Sequence, residues 1–374
     1  MKKFMRVICL VLVLSMLCGA CGKKQEEETT TTETTTAETT TKKETTTETT
    51  TAETTTEETT TEDPYPLEDG MVWSKLTGLP VKEEIGKRRP ICIMISNIKV
   101  VVPQNGTSKA VILYETLVEG GITRLMGVFE DFDDERIGSV RSVRHDYVSI
   151  SQEYDAILVH YGDSNLAADR IKKLKVNNLS GTDGIGSTVF YRDNSIKMPH
   201  NAFTSYARIM KGIEKMGYRT EVKDLGNHFT FYHEDTDLAK GDDANTVKLH
   251  FSNYAQPYFK YDAEKKLYMR YSFGSKHIDK MTKEQLAFKN IIIQIAPHSV
   301  VDKEGHVNFE TEDNTGKGYY ITNGKCVPIT WEKHESKQFM KYYDEDGNLL
   351  TINPGKTFIA LYPKEELDGL KIEP

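Results

Sequence analysis

Glu115 and Glu119 stand four residues apart in the stretch YETLVEGGITRLM (114–126), with Arg124 just beyond a Gly-Gly pair. The surrounding residues are apolar, and a charge in such company is costly unless it is paired or used. A four-residue step puts two side chains on one face of a helix, and equally on one face of a strand. Both carboxylates are therefore expected together, with Arg124 folding back across the glycines to meet them. Arg141 and Arg144 bring two guanidiniums from IGSVRSVR, while His160, His200 and Asn201 stand at a strand end and in a loop. Forked guanidiniums pair bidentately with carboxylates or phosphates. Three kinds of chemistry fit this set. It can be an internal Glu–Arg network that fixes strand register, or a pocket for an anionic or sugar-like ligand. It can also be a glycosidase-type acid/base pair of Glu115 and Glu119 with Arg124 orienting substrate, for which the carboxylate separation decides.

Spacing argues against other chemistries. VHYGDSN resembles the first block of the GDS-type esterases, but their serine needs a late Asp-x-x-His. Asp302 and His306 are one residue too far apart for that, as are Asp224 and His228. His145, Asp146, His228 and His233 are ligand types without an H-x-x-x-H or H-E-x-x-H array, so no metal is expected. GTDGIGST (181–188) lacks the Gly-Lys-Ser/Thr end of a phosphate loop and reads as a surface loop. No cofactor is expected.

The elements that must position these groups change character along the chain. ICIMIS and DAILVHYG are short apolar runs of the buried-strand type, and AVILYETLVE and RLMGVFEDF read as neighbouring strands. HDYVSISQEY reads as a helix, SNLAADRIKKL as a second with Ser164 as N-cap, and HNAFTSYARIMKGIEKMGY as a third ending at Gly217. Together they predict a mixed α/β domain over 86–233. HEDTDLAKGDDAN (233–245) reads as a linker. Beyond it TVKLHFS, PYFKYD, KLYMRYSF and NIIIQIA alternate with period two, and Asn323-Gly324 and Asp346-Gly347 mark hairpins. A β-rich domain is expected over 244–364. MVWSKLTGLPV reads as an irregular lead-in.

The N-terminus sets the address. Lys2, Lys3 and Arg6 precede the apolar run VICLVLVLSMLC, which is too short to span a bilayer and suits a secretory signal. LCGAC resembles the bacterial lipobox, which makes residues 1–21 a lipoprotein signal and Cys21 the acylated anchor. The Thr/Glu-rich segment 22–63 follows. Its tract Glu26–Glu62 holds no apolar residue larger than alanine, so it cannot offset its chain entropy and is expected to be a disordered tether. Stretched out it reaches about 120–130 Å. The whole chain carries −8; residues 1–25 carry +5 and the tract −9, which leaves −4 for residues 63–374. No strongly basic face points to nucleic acid. Cys92 and Cys326 lie in different expected domains without ligand spacing and are read as free, buried thiols.

RPICIMISN, PQNG, YETLVEGGITR, IGSVRSVR, YDAILVH and PHN, followed by NIIIQ and NGKCVPITW, occur in the order that resembles the YerB-like bacterial lipoproteins. The resemblance runs from about Pro90 to Pro363. It implies a two-domain extracytoplasmic lipoprotein and supplies no reaction. The matched positions Glu115, Glu119, Arg124, Arg141, Arg144, His160, His200 and Asn201 are the expected binding pocket. Expected partners are the membrane through the lipid anchor and a cell-wall glycan, an anionic wall polymer or an envelope protein. Hydrolysis of wall glycan by the glutamate pair is the alternative.

Overall fold

The computed structural model describes residues 65–335 and 338–374. The signal, Cys21 and the Thr/Glu tether lie outside these residues. The described residues form one compact unit.

The elements used below are, in chain order, β1 (Ile91–Asn97), β2 (Ile112–Leu117), β3 (Thr123–Phe129), α1 (His145–Glu153), β4 (Ile157–His160), α2 (Asn165–Leu174), β5 (Asn178–Ser180), α3 (Tyr206–Met216), β6 (Leu267–Ser272), β7 (Asn290–Ala296), β8 (Asn314–Thr322), β9 (Lys325–Lys333) and β10 (Thr357–Pro363). Nine of them, with two short edge strands, build an eleven-stranded sheet in the order β9-β8-β7-β10-β2-β3-β1-β4-β5. Strands of both sequence halves therefore lie in one sheet. The seam is the parallel pair β10–β2, where Ala360 stands opposite Glu115. β10 pairs in parallel with β7 on its other side.

Strands at the middle of this sheet are covered on both faces, which is why their sequences are nearly continuous apolar runs. Every residue of β1, β3 and β10 is buried. Alternation sorts their side chains. Cys92 and Met94 face Tyr147 and Val148 of α1, while Ile93 and Ile95 share a core with Ile209 and Ile213 of α3. On that second side lies a six-stranded sheet containing β6, with Val247, Phe259 and Tyr268 in the same core. Cys92 and Cys326 are both buried and free.

Local chemistry sets the element ends. Ser164 Oγ accepts from Ala167 N and starts α2. Ser205 does the same for α3 through Arg208 N, and Gly217 ends it at φ 63°. The third helix is therefore shorter than expected. Ala202–Thr204 is a strand paired with Ile137–Gly138, and Phe203 sits under the Arg136 guanidinium at 3.7 Å. Asn323-Gly324 closes the β8–β9 hairpin with both residues at positive φ. Two stretches are better ordered than their sequences imply. The lead-in forms a hairpin, Met71–Trp73 with Pro80–Lys82, and Ser74 Oγ donates to Glu130 at 2.8 Å. The 233–245 segment is stitched to the second half: Asn323 Nδ2 donates to Asp235 and Asp237 at 2.8 Å, and Asp242–Asp243 is an edge strand on β9.

Two buried ion pairs cross between the halves, Lys333 with Glu153 and, deeper in the core, Arg270 with Glu115. Arg270 of β6 donates to Glu115 of β2 at 2.6 Å, and neither side chain has any exposed surface. Removing one partner of such a pair leaves the other charged and dry. Arg270→Met should cost about 3–5 kcal/mol in urea unfolding of the full chain. A change below about 0.5 kcal/mol, the range of an ordinary surface substitution, would show that the pair does not hold the halves.

Candidate functional site

The two glutamates do not meet. β2 ends at Leu117, so the four-residue spacing does not continue along one strand. Glu119 opens a 3-10 turn, Glu119–Gly121, in which Gly120 and Gly121 adopt φ 67° and 72°. The turn places Glu119 beside arginines of its own half, while Glu115 points into the opposite core. Asn97 Nδ2 and Thr123 Oγ1 donate to Glu115 Oε1 at 2.8 and 2.6 Å, and Arg270 holds Oε2. With no exposed surface, Glu115 cannot reach a substrate.

Glu119 is the centre of a second network. Arg144 grips it with both forks, Nε to Oε2 at 2.8 Å and Nη2 to Oε1 at 2.5 Å. Arg124 Nη2 adds a bond at 3.2 Å and turns Nη1 to the Ser142 carbonyl at 2.7 Å. Burial pushes the Glu119 carboxyl up, but the bond from Arg144 and the charges of Arg124 and Arg144 outweigh it and hold it at about 2. The guanidiniums show the opposite strain. Burial and then the nearby Arg144 lower Arg124 to about 10, and the same two causes in the same order lower Arg141. Arg141 is half-buried and donates to the Pro199 carbonyl at 3.1 Å. His200, lowered by burial and by Arg141, has its Nδ1 without a partner among the described residues.

The fold explains why these groups gather. β1, β4 and β5 are parallel, and β2 runs the same way, so their carboxyl ends face one edge. Ligands of open α/β sheets bind outside that edge. His160 ends β4, yet it has no exposed surface; Nδ1 lies 2.7 Å from the Gly162 carbonyl and Nε2 3.1 Å from Asn178 Oδ1. Asn201 is likewise buried and accepts from Arg192 at 2.6 Å. Of the eight expected residues, Glu119, Arg124, Arg141 and Arg144 form one charged cluster with His200 at its side. Glu115 belongs elsewhere, and His160 and Asn201 are held by other partners.

Ser164, the serine of the esterase-like block, is the cap of α2. Among the described residues, Asp302, Glu304 and His306 bring ligand atoms within 4.8 Å of one another, in a surface turn already closed by a 2.5 Å bond from His306 to Asp302. A separate cavity of about 410 Å³ opens between α1 and the second half. Its first wall was visible as a pattern: Asp146, Ser149 and Glu153 fall on one face of α1. The facing residues, 294–342, come from the other half and have no local signature.

Fold and site define a strand-rich protein of two sequence domains sharing one sheet, with an arginine-rich cluster at a strand-end edge. Comparison with known proteins places it. Models described as "Protein of unknown function (DUF3048) N-terminal domain" and "Protein of unknown function (DUF3048) C-terminal domain" match residues 76–219 and 247–359. A relative named "Putative lipoprotein YerB", from Bacillus subtilis (strain 168), is 32% identical over 304 residues, 80% of this chain and 88% of the relative. The crystal structure of YerB protein from Bacillus subtilis matches with a TM-score of 0.71 at 30% identity, covering 81% of this chain and 100% of that one. The chain belongs to this YerB-like DUF3048 family, and the kinship supports a lipoprotein. No helix among the described residues is long and apolar enough to cross a membrane.

The Glu119 cluster makes a pH prediction. Its carboxyl is depressed from 4.5 to about 2, so its contribution is fully present above about 4.5 and is lost as pH falls towards 2. Glu119→Gln should lower the melting temperature at pH 7 and flatten its fall between pH 4.5 and 2. Parallel curves for the two proteins in differential scanning calorimetry would contradict this.

Proposed function

We propose that the protein is a lipoprotein anchored through Cys21 on the outer face of the cytoplasmic membrane, held off the bilayer by its Thr/Glu tether, and that it binds an anionic cell-envelope component through the guanidiniums around Glu119. One observation carries the reading: three guanidiniums converge while one carboxylate, Glu119, answers them. Burial lowers Arg124 and Arg141 first and the neighbouring Arg144 charge lowers them further, and an anion is the group that would offset that repulsion. Arg141 is the member with side-chain surface still open and, among the described residues, no carboxylate of its own. Planar forked donors favour phosphate or carboxylate groups repeated along a wall polymer over a neutral glycan.

Glycan hydrolysis gains no support. A glycosidase needs one carboxyl kept protonated as the acid and a partner across the same bond. Glu119 is held ionised at about 2, and Glu115 is sealed in a different network.

The test is sedimentation of the purified full chain with cell walls before and after their phosphate polymers are extracted. Intact walls should retain the protein at low salt, and Arg141→Gln should weaken retention about tenfold or more, as expected for one lost charge-assisted hydrogen bond. Equal retention by extracted walls, or by Arg141→Gln, would sink the proposal.

A further inference from the structure

The cavity between α1 and the second half has the opposite charge from the Glu119 cluster and stands independently of it. Its volume of about 410 Å³ is in the range of small-molecule sites. α1 contributes Asp146, Ser149 and Glu153 to one wall, and α2 contributes Arg170. The opposite wall is Gln294 of β7, Lys333 of β9, Tyr342 and the segment 308–314.

Two of its ion pairs are internal. Lys333 donates to Glu153 in a buried pair, and Glu153 Oε2 also accepts from Met340 N at 2.9 Å. Arg170 pairs with Glu312, and Ser149 Oγ donates to the same carboxylate at 2.7 Å. With Lys333 and Arg170 engaged in this way, the described lining keeps three further carboxylates: exposed Glu310 and Asp313, and Asp146, which is buried 3.8 Å from His145 Nε2 and whose pKa burial raises. An anion would be repelled. A bare divalent ion has no seat, because among the described residues no three carboxylates or imidazoles of this wall come within 4.8 Å of one another.

Gln294 marks the cavity as more than an acidic surface. It is 4% exposed, and its Oε1 accepts from the Tyr342 hydroxyl at 3.2 Å. Its amide nitrogen has no protein partner among the described residues, and the side chain lines the cavity. The amide nitrogen opens into the cavity, where it can donate to a ligand. Planar amides and carboxylates are the groups that hydrogen-bond the hydroxyls of a sugar. An excess of carboxylates selects among sugars for one bearing an ammonium.

We propose that this cavity is a second binding site, for a sugar unit carrying a free amine. The hydroxyls of the sugar meet Gln294 and Tyr342, and the ammonium is drawn to Asp146 and to the rim carboxylates Glu310 and Asp313. De-acetylated glucosamine is the simplest ligand with this chemistry, and its N-acetylated counterpart has the same ring without the charge.

The experiment is titration calorimetry of the full chain in detergent with a β-1,4-linked glucosamine disaccharide and with its di-N-acetylated form. The amine should bind saturably, and the acetylated disaccharide at least tenfold more weakly. Asp146→Asn should weaken amine binding tenfold or more. Glu310→Gln, an exposed position that leaves the fold intact, should weaken it severalfold and reduce its salt dependence. Arg141→Gln should leave it unchanged, which separates this site from the anion site. No saturation at millimolar ligand, equal affinity for the two disaccharides, or a Glu310→Gln protein that binds like the original would overturn the proposal.

Discussion

A guanidinium with no access to water, Arg270, sits against a carboxylate with none, Glu115, and the polar contacts around it tie the two halves together. Bringing both charges out of water costs several kcal/mol each, and the attraction offsets this only when the remaining donors and acceptors are also met. Most are. Glu115 takes Asn97, Thr123 and Arg270; Arg270 turns Nη1 to His277 Nδ1. Burial and the Arg270 charge depress His277, so its neutral ring accepts there and donates from Nε2 to Gln104 Oε1 at 2.5 Å. Gln104 passes the chain on to the Ser96 carbonyl at 3.0 Å. Of this network, Arg270 Nε alone lacks a partner among the described residues. The network reaches from the end of β1 through β2 to β6, so a shift of the halves would strand several polar groups at once.

The Glu119 cluster obeys the same electrostatics with a different outcome. It lies where strands end, its carboxylate keeps a quarter of its side-chain surface, and it is outnumbered by guanidiniums. Where the Glu115 pair is neutral in sum and sealed, this one is positive and partly open. That difference, rather than the residue types, separates an internal lock from a place where an anion can settle.

How much of this was legible in the sequence depends on whether the deciding contact was local. ICIMIS and YDAILVH could be read as buried strands because both faces are covered, and Ser164, Gly217 and Asn323-Gly324 mark ends and turns through their own backbone chemistry. The pairing of Glu115 with Glu119 was misjudged because periodicity holds only inside an element, and Gly120-Gly121 ends the element between them. The seam β10–β2 joins residues some 245 positions apart, as in the bond from Thr116 Oγ1 to the Leu361 carbonyl, and no window of sequence reports it. The acidic cavity was half visible: the polar stripe of α1 was there to read, but its partners arrive only through the shared sheet.

The two buried thiols report on that shared sheet, Cys92 from β1 and Cys326 from β9. The full chain would be held in increasing urea with a thiol-reactive label, and each cysteine read by peptide mass spectrometry. If one sheet and the buried ion pairs bind the halves, Cys92 and Cys326 become reactive over the same transition, with one midpoint. Labelling of Cys326 at urea concentrations where Cys92 stays protected would show that the second half unfolds alone, and the account would fail.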